Sequence, residues 1–168
     1  RQRQMCIRDS NYTASTRLIL KQCGLSDEDI DNRLIKVHGE ASNNDIIFGV
    51  EDNAGIKKEH VFLRKAYNIK YKALNFSELY DRIKSVAIFG HSLGETDHTY
   101  FNKLFQESCM YNKFSTNNNK EFWLFYYKEN GYHCMMQQLD SLTHNSLTSF
   151  RQYNRVNFIN TDKEKVFI

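Results

Sequence analysis

The sequence predicts an α/β domain built on a mostly parallel, open sheet flanked by helices. Three observations carry this. Short apolar runs bounded by turn residues alternate with longer stretches of helical spacing, which is the pattern of strands joined by helical crossovers. The run SVAIFG at 85–90 is apolar after its first residue, as expected of a strand covered on both faces of a parallel sheet. Finally, 168 residues with 40% apolar and 14% aromatic content can bury a core, which excludes a disordered chain.

The first ten residues, RQRQMCIRDS, have no periodicity and no signal-peptide apolar region. They resemble translated adapter sequence at a contig end, and are left out of the fold as an artefactual or disordered leader. Residues 11–168 then read as a single α/β domain, the C-terminal part of a larger, N-terminally truncated one. TASTRLILKQC, 13–23, has helical spacing, with Gly24 as its stop. SDEDIDNR, 26–33, reads as a charged connector or short turn. LIKVH, 34–38, is a β-prone run ending at Gly39, and DIIFGV, 45–50, is a second after the turn signal SNN. A hairpin over 34–50 is the alternative.

Val61, Phe62, Ala66 and Ile69 predict a helix over 57–74, and FSELYDRIK, 76–84, continues helically. After the strand at 85–90, Tyr100, Phe101, Leu104 and Phe105 recur at helical spacing. The polar STNNNKE, 115–121, reads as a loop. EFWLFYYKENG, 121–131, reads as a strand closed by an Asn130-Gly131 turn. Met135, Met136, Leu139, Leu142 and Leu147 make 132–150 helical, and VNFIN, 156–160, is a last strand.

Composition narrows the function classes. A net charge of +3 from scattered basic residues lacks the Lys/Arg stripe of a nucleic-acid groove, so no nucleic-acid partner is expected. The basic face from Lys57 to Lys72 reads as solvated surface. The longest apolar run, VAIF, is too short to cross a bilayer, and a cytoplasmic location with no membrane partner is expected. Cys6, Cys23, Cys109 and Cys134 lie far apart without a C-x-x-C, which fits reduced thiols and no metal site.

The segment GHSLG, 90–94, fits the G-x-S-x-G elbow of serine hydrolases. That chemistry needs a base and an orienting acid after Ser92. Only His98, His133 and His144 follow it, and Asp140 and His144 share one predicted helix, so no triad assembles. Ser92-Leu93-Gly94-Glu95 matches a capping box instead, with Asp97 near the positive end of the helix dipole and Gly90 and Gly94 allowing a tight turn. Such a strand-to-helix turn is also an anion site. Three strand ends carry suggestive residues: His38-Gly39, Gly49 with Glu51 and Asp52, and Gly90-His91-Ser92. In a parallel sheet these ends line one crevice, where ligands bind. His38, a residue type whose natural pKa is near neutrality, is beside such a turn a candidate acid/base.

IKVHGEASNNDIIFGVED, followed by VAIFGHSLGETDHTYFNKLF, resembles the bacteriophage abortive-infection AbiH family. That family shows an H-G after a strand, an I-x-x-G followed by acidic residues, and a GHSLG-x-x-D with an aromatic pair behind it. The resemblance covers roughly residues 34–105. The family's glycine-rich GNGFD-type opening is absent. The pattern is similar, more distantly, to sirtuin-like Rossmann domains of antiphage systems, which implies a Rossmann-like sheet and NAD or another nucleotide as cofactor. By that likeness His38 lies at the reacting ribose. Gly39, Gly90, His91, Ser92 and Gly94 line the nucleotide, and Asp97 orients the turn or accepts a ribose hydroxyl. The expected function is therefore a fragment of an AbiH-like defence protein with a nucleotide-binding, NAD-consuming or binding-only crevice and a phage component as trigger. A serine esterase using the GHSLG elbow and a non-catalytic interaction module are the alternatives.

Overall fold

The computed structural model describes residues 7–10, 13–47, 49–50, 54–68, 80, 83–110 and 119–163. It divides into two compact units, Arg1–Leu74 and Asn75–Ile168. Its strands form open sheets of two and three strands in which every pairing is parallel, so the architecture is α/β.

In the first unit, strand β1 (Ile7–Asp9) pairs with β2 (Leu34–Lys36), Ile7 opposite Leu34 and Asp9 opposite Lys36. Part of the supposed leader is therefore a strand; at three residues it is too short to show a period. Helix α1 (Ser15–Gln22) ends in a Schellman motif: Leu25 N–H donates to Leu20 O, Gly24 N–H to Lys21 O, and Gly24 takes φ +85°. The stretch read as a charged connector is helix α2 (Asp27–Arg33). Ser26 Oγ accepts the Asp29 N–H at 3.1 Å, three acidic residues fill the first turn, Arg33 lies in the last, and Ile30 is its buried anchor. Lys21 and Arg17 beside Asp27 hold its carboxyl below the usual range.

Among the described residues of 45–50 the second expected strand does not form. Ile47 N–H donates to His38 O at 2.9 Å, and Val50 bridges Arg64: Val50 N–H reaches Leu63 O, and Lys65 N–H reaches Val50 O. The same bridge breaks the described part of the helix expected over 57–74 into 3₁₀ turns at Lys58–Leu63 and Lys65–Tyr67 with Arg64 extended between them, and 69–74 lie outside the described residues. The backbones come so close that a Cβ on Gly49 would lie 2.5 Å from Leu63 O. Most of the helix expected at 76–84 lies outside the described residues.

In the second unit the sheet order is β3 (Ser85–Ile88), β4 (Glu121–Tyr126), β5 (Arg155–Asn160). Ile88 lies opposite Leu124, and Leu124 opposite Phe158. Helices α3 (His98–Ser108), α4 (Lys128–Leu142) and α5 (Leu147–Tyr153) complete the crossovers. One core joins Ile88, Phe122 and Leu124 of the sheet to Leu104, Phe105, Met135, Leu139, Leu142 and Phe150 of the helices. Phe105, Phe122 and Phe150 meet with ring centroids 4.8–5.7 Å apart, each ring contributing about 1.5–3 kcal/mol by burial.

Asn130-Gly131 is not a hairpin turn but sits in the first turn of α4, because a parallel neighbour needs a crossover rather than a hairpin. The helix over 132–150 is broken at Thr143–Ser146, where His144 and Asn145 take φ +50° and +60°. At the amino ends of the strands, buried Lys120 donates from Nζ to Tyr80 O and Ile83 O at 2.7 and 2.8 Å and sits over the Tyr80 ring. Among the described residues no helix is long and apolar enough to cross a membrane.

Candidate functional site

The turn from β3 to α3 occupies the carboxyl edge of the three-stranded sheet. Gly90 is exposed with φ +65°, and a Cβ there would meet nothing within 4 Å, so glycine serves conformation rather than space. Gly94 has an ordinary φ of −58° and lies before the 3₁₀ turn Glu95–Asp97 that leads into α3.

The anchor of the turn is Leu93. It is 0% exposed, belongs to the core, and takes φ +55°, a left-handed conformation that costs a leucine roughly 1–2 kcal/mol. Its backbone polar groups are met on both sides. Leu93 N–H donates to His91 Nδ1 at 2.9 Å, and His98 Nε2 donates to Leu93 O at 3.1 Å and to Gln138 Oε1 of α4 at 2.8 Å. His91 accepts at Nδ1, so its proton lies on Nε2, which faces Asp97 Oδ2 at 3.2 Å. The His91 ring also packs edge-on against Phe101, centroids 5.2 Å apart. His91, Leu93, Asp97, His98 and Phe101 thus form one brace, while Ser92 stays exposed.

The expected capping box is not made. The residue before the 3₁₀ turn is Gly94, with no side-chain cap, and His91 takes over the part of holding the turn. A nucleophile elbow strains the serine itself. Here the positive φ falls on Leu93, not Ser92, and both His91 nitrogens are engaged elsewhere. Sequence reasoning assigned no role to His98 and Gln138. Their spacing carries no local signal, since the bond joins two helices forty residues apart in sequence.

His38 and Gly39 belong to the other unit, at the carboxyl end of β2. His38 is 5% exposed, and its carbonyl holds Ile47. Gly39 takes φ +74°, and a Cβ would fall 2.1 Å from Asp45 O, so only glycine fits; Asp45 Oδ1 accepts the Glu40 N–H at 2.7 Å. Beside this turn lies a buried ion cluster that sequence reasoning missed. Lys36 Nζ contacts Asp9 Oδ2 at 2.7 Å and Glu40 Oε2 at 3.5 Å, and it also donates to Thr13 O. Asp9 escaped notice because it lay in the excluded leader. The three strand ends are not ends of one parallel sheet. The ends of β2 and β3 belong to separate sheets in separate units, the described residues of 45–50 form no strand, and Glu51 and Asp52 lie outside the described residues. No group of three or more His, Cys, Asp or Glu residues arranged to hold a metal occurs among the described residues.

The family model for bacteriophage abortive infection AbiH matches residues 2–127, a span that takes in β1, the His38-Gly39 turn, the braced loop and β4. No curated protein and no solved structure is significantly similar to the chain.

Proposed function

The chain belongs to the bacteriophage abortive-infection AbiH family, and from that premise we propose that it acts in antiphage defence by binding a nucleotide-type small molecule at the β3–α3 turn. The observation that carries this reading is the brace. Its side chains are spent on holding the turn, and Gly90 and Ser92 are left exposed at the carboxyl edge of a parallel sheet, ahead of a helix. Ligands of open α/β sheets bind at such edges, and helix-leading amides favour phosphate. In this reading Gly90, His91, Ser92 and Gly94 present backbone, Ser92 adds its hydroxyl, and Asp97 fixes His91. A phage component is the trigger.

The form proposed is binding without turnover. NAD consumption would place acid/base chemistry on His38, but that imidazole is 5% exposed beside a carbonyl that holds the 38–47 turn, which favours a structural part for it. The esterase reading is disfavoured by the φ of Leu93 and the engaged nitrogens of His91.

Two variants at Ser92 in the full chain test the proposal, with binding of ATP and NAD followed calorimetrically and phage protection by plating. Ser92→Trp blocks the turn and should abolish both binding and protection. Ser92→Ala removes one hydroxyl and should weaken binding about 2- to 10-fold. Unchanged nucleotide affinity in Ser92→Trp would refute the site. Labelling by a fluorophosphonate that Ser92→Ala abolishes, together with protection, would restore the esterase.

A further inference from the structure

Aromatic groups crowd the same sheet edge without entering the core. Along β4 the side chains alternate: Phe122, Leu124 and Tyr126 belong with the core, so Phe125 faces the other way. Tyr127 continues the extended chain at φ −113°, ψ 122°, and so shares the Phe125 side. Phe89, next along from the core residue Ile88, meets Phe125 edge-on with centroids 5.5 Å apart, which puts it on that side too. Phe89 is 53% and Tyr127 59% exposed, although each is a large apolar ring beside a packed sheet. Lys128 Nζ lies 4.9 Å from the Tyr127 ring centroid, adding a positive charge. Gly90, the first residue of the braced turn, directly follows Phe89.

We infer that Phe89 and Tyr127 form a shelf on which the heteroaromatic base of a nucleotide stacks, its phosphates lying toward the Gly90–Gly94 turn. This rests on the nucleotide reading above and deepens it. Two exposed rings on one side of the sheet, one with a cation over it and the other followed by a glycine turn, suit a planar base carrying an anionic tail. Phe89 meets Phe125 edge-on and still exposes 53% of its surface. Such stacking is tolerant of base identity, because every base has a π face.

The test is calorimetric titration of the full chain with ATP, NAD and inorganic tripolyphosphate, comparing the natural protein with Phe89→Ala and Tyr127→Leu. Both residues are exposed, so the variants should fold, which circular dichroism verifies. Loss of one stacking partner should weaken ATP or NAD binding about 5- to 150-fold and leave tripolyphosphate binding unchanged. Nucleotide affinity unchanged in both variants would overturn the shelf and leave the turn as the site. Tripolyphosphate binding falling in parallel would also overturn it, since the effect would then act through the turn. Binding of neither ATP nor NAD to the natural protein would remove the nucleotide reading and the shelf together.

Discussion

Replacing Leu93 by alanine and by glycine should give nearly equal stabilities, where glycine is ordinarily clearly the worse. Leu93 is wholly buried, so truncation to alanine removes three carbons from the core. At about 0.8 kcal/mol per carbon, plus the cavity left behind, the loss is about 3–4 kcal/mol. Alanine keeps the left-handed strain at φ +55°, roughly 1–2 kcal/mol for an L-residue, whereas glycine sheds it. Glycine's greater freedom when unfolded takes back about 0.5–1 kcal/mol. Glycine also loses the buried Cβ, about 0.8 kcal/mol more, so Leu93→Gly should lie within about 1 kcal/mol of Leu93→Ala, whereas at a buried right-handed position it would be the worse by about 1.5 kcal/mol. Urea unfolding followed by the fluorescence of Trp123, the single tryptophan, reads this, because Trp123 pairs with Ala87 in the same unit. Leu93→Gly less stable than Leu93→Ala by about 1.5 kcal/mol or more would refute the left-handed anchor. A loss under about 1 kcal/mol in Leu93→Ala would refute its burial.

Lys36→Met should cost the first unit about 3–5 kcal/mol, because Asp9 and Glu40 lose the cation between them while remaining buried. Hydrogen exchange of the 34–47 amides should then speed up by two orders of magnitude or more, and a change below fivefold would show the cluster to be energetically idle. Burial pushes the Cys109 thiol up, and its Sγ donates to Phe105 O at 3.2 Å, whereas Cys23 and Cys134 are exposed. Because less Cys109 is thiolate at any given pH, N-ethylmaleimide at pH 7.5 should modify Cys23 and Cys134 well before it. Peptide mass mapping over time checks this, and equal rates would contradict it.

The second unit was the more legible in sequence. SVAI and EFWLFY are strands whose apolar runs leave no rival pattern, and the spacing of Tyr100, Leu104 and Phe105 marks the buried face of α3. Legibility failed where a long-range contact decided the outcome. The Val50–Arg64 bridge overrode both a β-prone run and a helical period, and no local residue announces it. Asn130-Gly131 followed the sheet's topology rather than its own turn preference. At the site, the glycines and Ser92 were visible as a turn, but its support was misjudged. The capping box is a local rule, and a histidine ring two residues from the buried amide displaced it. The burial of His38 was hidden for the same reason: nothing in V-H-G-E tells a strand-end catalyst from a packed turn.

The most direct measurement is an amide NMR titration of the isotope-labelled full chain with ATP and NAD. Binding at the braced turn predicts saturable shifts for one of them at Gly90, His91, Ser92 and Gly94, with smaller changes at Phe89 and Tyr127. Shifts confined to residues outside 89–97 and 125–128, or none at millimolar nucleotide, would contradict the assignment of this turn as the ligand site.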